Sequence, residues 1–350
     1  MKQHIVGLLM CGMAFGAVQA SDMADTFSEK TVGQGQASFY VLGPLGAKAE
    51  RAGTALDHTT PVRIASVTKT YVAGTVLRLM EEGMLDISRP ISAYIDPTFD
   101  ALLRADGYDT SVITVKHLLS HTAGLVDHTN GEPFFATVLQ DPTHHWTREE
   151  QIKGAVDWLD PLGKPGAQYI YSDTGYVLLG DMIERLTGLT LAAAVRAYMG
   201  LDALGLENTY WEIMEVNKAA EAQRAHQYLQ GQDTHGWSAS LDLYGGGGLV
   251  STTQDMAAFF AALFEGKVFK KPETLDLMLS EAGLPEDSPY RLGVFERQVE
   301  GVTFYEHSGF WGTVVMYVPS TGRAYAGAVQ YRKNYGAMRQ ALVTAIGEDR

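Results

Sequence analysis

The chain has 350 residues, 46% of them hydrophobic, with 41 acidic against 27 basic side chains and a formal charge of −14. That balance argues against nucleic acid and anionic membrane surfaces as partners. The lone cysteine, Cys11, falls inside a leader-like segment, which excludes disulfides and cysteine-based zinc sites from the remainder.

The first 20 residues, "MKQHIVGLLMCGMAFGAVQA", combine an early lysine, an apolar stretch and small residues at the −3 and −1 positions before Ser21. This pattern predicts a secretory signal cleaved after Ala20, and an exported protein in the periplasm or medium. Met10 before Cys11 is too large for a typical lipoprotein cleavage site. No later run approaches about 18 apolar residues, so no stable membrane insertion is expected after cleavage. The polar residues from Ser21 to Gln36 are expected to be loosely ordered.

"ASFYVL" (37–42) reads as a strand, a Gly/Pro turn follows, and a second strand is expected before Arg51. "TPVRIA" reads as a short third strand running into a helix that Ser66 opens. In that helix Val72, Val76, Leu79 and Met80 make one apolar face, and Gly83 suits its end. From about Pro90 to Tyr244 the patterns are helical or loop-like, including "TVKHLLSHTAGL", "REEQIKGAVDWL", "GYVLLGDMIERLTG" and "TLAAAVRAYMGL". A glycine run, Gly245 to Gly248, reads as flexible, with Thr252 or Thr253 capping the helix after it. Alternation returns after Pro289 in "YRLGVFERQV", "VTFYEHSGF", "GTVVMYVP" and "RAYAGAVQYR", four consecutive antiparallel strands. Gly336 to Ile346 reads as a closing helix.

Strands at both chain ends with helices between predict an α+β fold: one antiparallel sheet flanked by helices, with a mostly helical insert. The expected divisions are a signal peptide over 1–20, a sheet domain from 21–90 and 245–350, and an insert over 91–244. A cleft between sheet and insert is the expected site.

Three short patterns carry chemistry. Ser66-Val67-Thr68-Lys69 places a hydroxyl and an amine one turn apart at a helix start, where backbone N–H groups can stabilise an oxyanion. Tyr171-Ser172-Asp173 precedes a helix that Asp173 or Thr174 can cap. His307-Ser308-Gly309 lies on a late strand, where glycine lets a substrate backbone approach.

In this order, with "RIASVTKT", "GMLDISRPISAYI", "TVKHLLSHTAGL", "PGAQYIYSDTGYVLLG", "GGGGLVSTTQDMAAFF" and "HSGFWGT", these elements resemble the serine β-lactamase and penicillin-binding protein superfamily. The branch is that of class C β-lactamases, D-Ala-D-Ala carboxypeptidases, D-aminopeptidases and related esterases. The resemblance covers roughly residues 36 to 346 and implies a β-lactamase/transpeptidase-like fold. It makes Ser66 the acylated nucleophile, Lys69 the base or proton relay, and Tyr171 the second proton-transfer group. It also implies an oxyanion hole from the Ser66 and Phe310 N–H groups, with Asp173, His307, Ser308 and Gly309 binding substrate.

Two positions depart from the family pattern. His307-Ser308-Gly309 replaces Lys-Thr-Gly, a form closer to secreted D-Ala-D-Ala carboxypeptidases, D-peptidases and some esterases. Asp173 replaces the usual asparagine; an ionised carboxylate only accepts hydrogen bonds, and the resemblance implies that it lies close to Lys69 and Tyr171, where it would disfavour phenolate. The function expected is an exported serine hydrolase acting on peptide, amide or ester substrates in the manner of a D-Ala-D-Ala carboxypeptidase or D-peptidase. The alternatives are a small-ester hydrolase, a β-lactamase, or a penicillin-binding protein without useful turnover. No cofactor or metal is expected, and the expected partner is a small-molecule or peptide substrate. His117 and His121 have zinc-ligand spacing, but Leu118 stands where a metalloprotease helix needs glutamate.

Overall fold

The computed structural model describes residues 22–32, 35–215 and 223–349; the expected signal segment and Cys11 lie outside them. A six-stranded sheet is built from both ends of the chain. Its strands are β1 (Ala37–Gly43), β2 (Gly46–Ala52), β8 (Phe295–Val299), β9 (Val302–Gly309), β10 (Thr313–Val318) and β11 (Arg323–Val329). Their order is β2-β1-β11-β10-β9-β8, antiparallel throughout.

Alternation along β10 shows why this strand is central. Val314, Met316 and Val318 join one apolar layer with Phe39, Tyr325, Met338 and Leu342. Val315 and Tyr317 point the other way, into the main core with Phe259, Phe260 and Leu263. Successive side chains leave a strand on opposite faces, so a continuous apolar run fits a strand covered on both.

The first layer corrects the expected loose N-terminus. Met23–Thr31 is a helix, α1, whose N-cap Asp22 accepts from the Ala24 and Asp25 N–H groups. Met23 and Phe27 are buried, and Phe27 meets Phe39 edge-on at 5.9 Å. The closing helix runs over Tyr335–Glu348 on the same side of the sheet.

Beneath the other face lies the main core, shared by the sheet and the helices that precede it. Ser66 does not open the long helix. It sits in a 3-10 turn, Ala65–Val67, and the α-helix α2 follows over Thr68–Glu81. Every residue of α2 from Thr68 to Leu79 is buried, so the apolar face read from sequence is only part of a helix enclosed on all sides. Two of its threonines are satisfied internally: Thr70 donates to the Gly293 carbonyl at 2.8 Å and Thr75 to the Tyr71 carbonyl at 2.9 Å.

The helices α3 (Pro97–Ala105), α4 (Val115–Leu119), α5 (Glu132–Gln140), α6 (Arg148–Trp158), α7 (Asp173–Thr187) and α8 (Leu191–Met199) follow. The stretch expected to be helix and loop also holds short strands, at Tyr210–Trp211, Tyr228–Leu229 and Gln232–Asp233. One of them, β4 (Tyr210–Trp211), joins β3 (Val62–Arg63) and β7 (Leu249–Ser251) in a small sheet of order β3-β7-β4. That sheet anchors the chain just before Ser66.

Gly309 also has a packing role that the sequence did not suggest. A Cβ there would stand 2.1 Å from the Ile64 carbonyl oxygen, and Thr313 Oγ1 donates to the same oxygen at 3.2 Å. Its lack of a side chain lets the end of β9 dock on the segment that carries Ser66. Gly309→Ala should therefore lower stability by roughly 1–3 kcal/mol through overpacking. Gly336→Ala, at an open helical position, should be neutral or stabilising by up to about 1 kcal/mol. Thermal melts of both variants test this; equal melting temperatures would refute the docking role.

Candidate active site

Ser66 is held from both sides. Ile64 N–H donates to the Leu249 carbonyl at 3.0 Å, extending the β3–β7 contact. Ala65 then takes a left-handed conformation, φ 43°, which turns the chain sharply into the 3-10 turn. One turn on, Lys69 is fully buried. Its ammonium donates to Ser66 Oγ at 3.0 Å and to the Gly246 carbonyl at 2.5 Å. It also forms an ion pair with Asp173 Oδ1 at 2.5 Å.

Gly246 belongs to the glycine run, which proves to be buried and tightly packed rather than flexible. At Gly245, φ 129°, a Cβ would lie 2.2 Å from the Tyr176 carbonyl of α7. Close passage along α7 puts the Gly246 carbonyl on Lys69.

Tyr171 lines the same cavity as Ser66, and burial pushes its phenol well above the ordinary range, with the Asp173 charge the next cause. The helix behind it is capped by Ser172, whose Oγ accepts from Gly175 N–H at 3.3 Å and donates to the Val126 carbonyl at 2.7 Å. Asp173 and Thr174 are thus not the cap, and the Asp173 carboxylate is left for Lys69.

A cavity beside Ser66 and Tyr171 is lined by His307, Ser308, Gly309 and Phe310. His307 is buried, and desolvation with the nearby Lys69 charge pushes its imidazole down to about 3. Nδ1 lies 3.0 Å from the Ser308 carbonyl, which can only accept, so Nδ1 carries the proton. Nε2 then accepts from the Tyr290 hydroxyl at 3.0 Å. His307 is therefore a neutral, backbone-fixing group and not a cationic replacement for lysine.

The sequence reading did not single out Gly246, Tyr290 or His121 for the site. His121 has a left-handed backbone, φ 55°. Its carbonyl accepts from Ile170 N–H at 2.7 Å and its Nδ1 from Ser172 N–H at 3.1 Å, bracketing Tyr171. Its ring stacks 4.2 Å from that of Tyr171. His117 instead closes a capping box with Thr114 at the start of α4. No motif pointed to this role for His121, whose spacing from His117 had been set aside as a metal pattern; its contacts are with the "QYIYSD" turn.

The neutral His307 is directly observable. Nitrogen-15 spectra should show it protonated at Nδ1 alone from pH 8 down to pH 5. A doubly protonated ring near pH 6 would refute this electrostatic picture.

Residues 23–346 match the family model described as Beta-lactamase. Among curated proteins, the chain is 26% identical to "Penicillin-binding protein 4*" of Bacillus subtilis, over 71% of this chain and 55% of that protein. It is 34% identical to "Esterase EstB" of Burkholderia gladioli, over 43% of this chain and 39% of that one. The chain thus spans about half the length, or less, of these relatives. The fold is that of a D-stereospecific amidohydrolase from Streptomyces sp., with a TM-score of 0.80 and 22% identity over 92% of this chain and 98% of that one. With the six-stranded antiparallel sheet and the Ser66-Lys69 turn, the match over nearly the whole described chain makes it a member of the Beta-lactamase family, with a β-lactamase/transpeptidase-like fold.

Proposed function

We propose that the chain is an exported serine hydrolase that forms an acyl-enzyme on Ser66 with amide, peptide or ester substrates, in the manner of a D-Ala-D-Ala carboxypeptidase or D-peptidase. One observation supports this above the rest: Ser66 Oγ lies between a buried ammonium and a phenol. Lys69 donates to Ser66 Oγ, so the serine proton is free to turn towards the Tyr171 phenol, which lines the same cavity. An unassisted hydroxyl is a poor nucleophile at neutral pH, and positioned proton transfer contributes roughly 10²–10⁴-fold.

In this reading Tyr171, as phenolate, takes the Ser66 proton while Oγ attacks the scissile carbonyl. The Ser66 and Phe310 N–H groups receive the developing oxyanion. Tyr171 passes its proton to the leaving nitrogen or oxygen. Water then enters, Tyr171 accepts one of its protons, and as the second tetrahedral intermediate collapses Tyr171 returns that proton to Ser66 Oγ, freeing the serine and restoring the phenolate. Lys69 keeps Oγ in place and, paired with Asp173, holds its charge out of solvent.

Small-ester hydrolysis is a second reading, favoured by the identity to an esterase and by the aromatic rims Phe135 and Phe310 on the cavity. Arg332, which lines the cavity beside Ser308, supports the peptidase reading instead, because a guanidinium there suits a substrate carboxylate. Rates on a D-Ala-D-Ala peptide, D-amino-acid amides, nitrocefin and p-nitrophenyl esters separate these readings.

A fluorophosphonate should label Ser66 alone, and Ser66→Ala should abolish labelling and turnover with an unchanged circular dichroism spectrum. Labelling at Ser172 or Ser308 would refute the assignment. Tyr171→Phe should lower kcat by about 10²-fold or more with a modest change in KM.

The pH profile supplies a separate check. Burial and the Asp173 charge both raise the Tyr171 phenol, so its base form is scarce at neutral pH and kcat/KM should climb towards alkaline pH. Asp173→Asn removes the second cause and should move the acidic limb to lower pH. An unshifted limb on the best substrate would overturn the electrostatic role given to Asp173 and leave the Ser66–Lys69 assignment standing. Export is tested by intact mass: exported protein should begin at Ser21.

A further inference from the structure

Two cavities flank Ser66 and Tyr171, and their linings differ in charge. The one beside β9, of about 220 Å³, has Arg332 and no carboxylate in its lining. The other, of about 270 Å³, is bounded by the start of α7, the 127–130 turn and the 241–242 segment. Its lining includes Asp127, Asp173 and Asp242, with walls of Phe134, Phe135 and Phe310, and no lysine, arginine or histidine.

Only one of these three carboxylates is neutralised by a basic group at contact distance. Asp173 is paired with Lys69. Asp127 is 6% exposed, and its Oδ1 accepts from Thr129 N–H at 2.9 Å and Thr129 Oγ1 at 2.7 Å. Its second oxygen has no hydrogen-bond or ion-pair partner among the described residues. Asp242 accepts one hydrogen bond, from Trp311 Nε1 at 3.3 Å. The Arg63 guanidinium, whose charge acts on Asp242, is already committed to Glu212 by two bonds of 2.7 and 3.1 Å. Desolvation pushes both Asp127 and Asp242 up to about 6, which leaves them largely ionised at neutral pH. Buried charges of one sign without partners are unfavourable, and a ligand of the other sign relieves that cost.

We propose that this cavity binds the protonated amine of an aminoacyl substrate, with Asp127 and Asp242 as the residues that select it. The proposal rests on the reading of Ser66 as the acylated nucleophile. The amine belongs to the acyl half, because the leaving nitrogen of an amide or peptide is itself uncharged before cleavage. Substrates would then be amides, peptides or esters of amino acids with a free α-amino group, their side chains lying among the three phenylalanines.

The test compares three anilides in the full-length protein: alanine p-nitroanilide as each enantiomer, N-acetylalanine p-nitroanilide and propionic p-nitroanilide. Fluorophosphonate labelling of Ser66 is measured in parallel. The free amine on the better enantiomer should exceed both neutral analogues in kcat/KM by about tenfold or more, the scale of a charge-assisted hydrogen bond. Asp127→Asn and Asp242→Asn should each pull that preference ratio towards one, a readout that general loss of active protein would not move. On the unaltered protein, benzylammonium should inhibit ester hydrolysis at least about tenfold more strongly than benzyl alcohol. Ser66 labelling with equal or better rates on the neutral analogues would overturn the inference and leave the serine hydrolase standing. Absence of labelling would overturn both.

Discussion

A lysine with no exposed surface governs this architecture. Moving an ammonium from water into a protein interior costs several kcal/mol even after relaxation, so Lys69 is tolerable only where acceptors surround it. One is local, Ser66 one turn earlier, and two come from distant parts of the chain, Gly246 from the glycine run and Asp173 from the start of α7. The helix α2 supplies no acidic residue in its first turn. Neutralisation must therefore arrive by tertiary packing. Folding the helices before the sheet against α2 and assembling the Ser66 surroundings are consequently one event.

The same dependence explains the glycines. The 245–246 backbone lies against α7 closely enough that a methyl group at Gly245 would strike a carbonyl at 2.2 Å, and one at Gly246 would press on Asp173 at 3.3 Å. Bulk at either position would separate the acceptor on one segment from the carboxylate on the other. The close approach of β9 to Ile64 at Gly309 does the equivalent on the opposite side, fixing the Phe310 end of the strand relative to Ser66.

Much of this was readable from sequence, where the information is local or periodic. Continuous alternation revealed β9 to β11, and the i,i+3 spacing of Ser66 and Lys69 predicted their contact. The nearness of Asp173 to Lys69 followed from the resemblance. What escaped depends on partners far along the chain. In α1 only Met23 and Phe27 signal burial, and both are decided by docking on Phe39 and the 335–348 helix. Two-residue strands such as β4 are too short to show a period. Asp127 and Asp242 carry no motif at all; the fold places both on one cavity. His121 was passed over once the metal spacing was set aside; the helix ends at Leu119, and a left-handed residue there turns the ring onto Tyr171.

Two of the left-handed non-glycine residues stand at the same place. Ala65 and His121 both hold left-handed backbones without the freedom of glycine, conformations that cost about 1–3 kcal/mol each and persist only where surroundings over-determine them. Around Ala65, the preceding residue is fixed at its N–H by Leu249 and at its carbonyl by Thr313. Around His121, the carbonyl and Nδ1 are both engaged by the turn that bears Tyr171, while Nε2 is buried without a hydrogen-bond partner. In each case the strained residue adjoins or brackets a residue that lines the Ser66 cavity. Relaxing either backbone would break contacts to the small sheet or to the tyrosine turn before it relieved the strain. The hydroxyl, the ammonium and the phenol are thus held in register by segments whose own preferred conformations would move them apart.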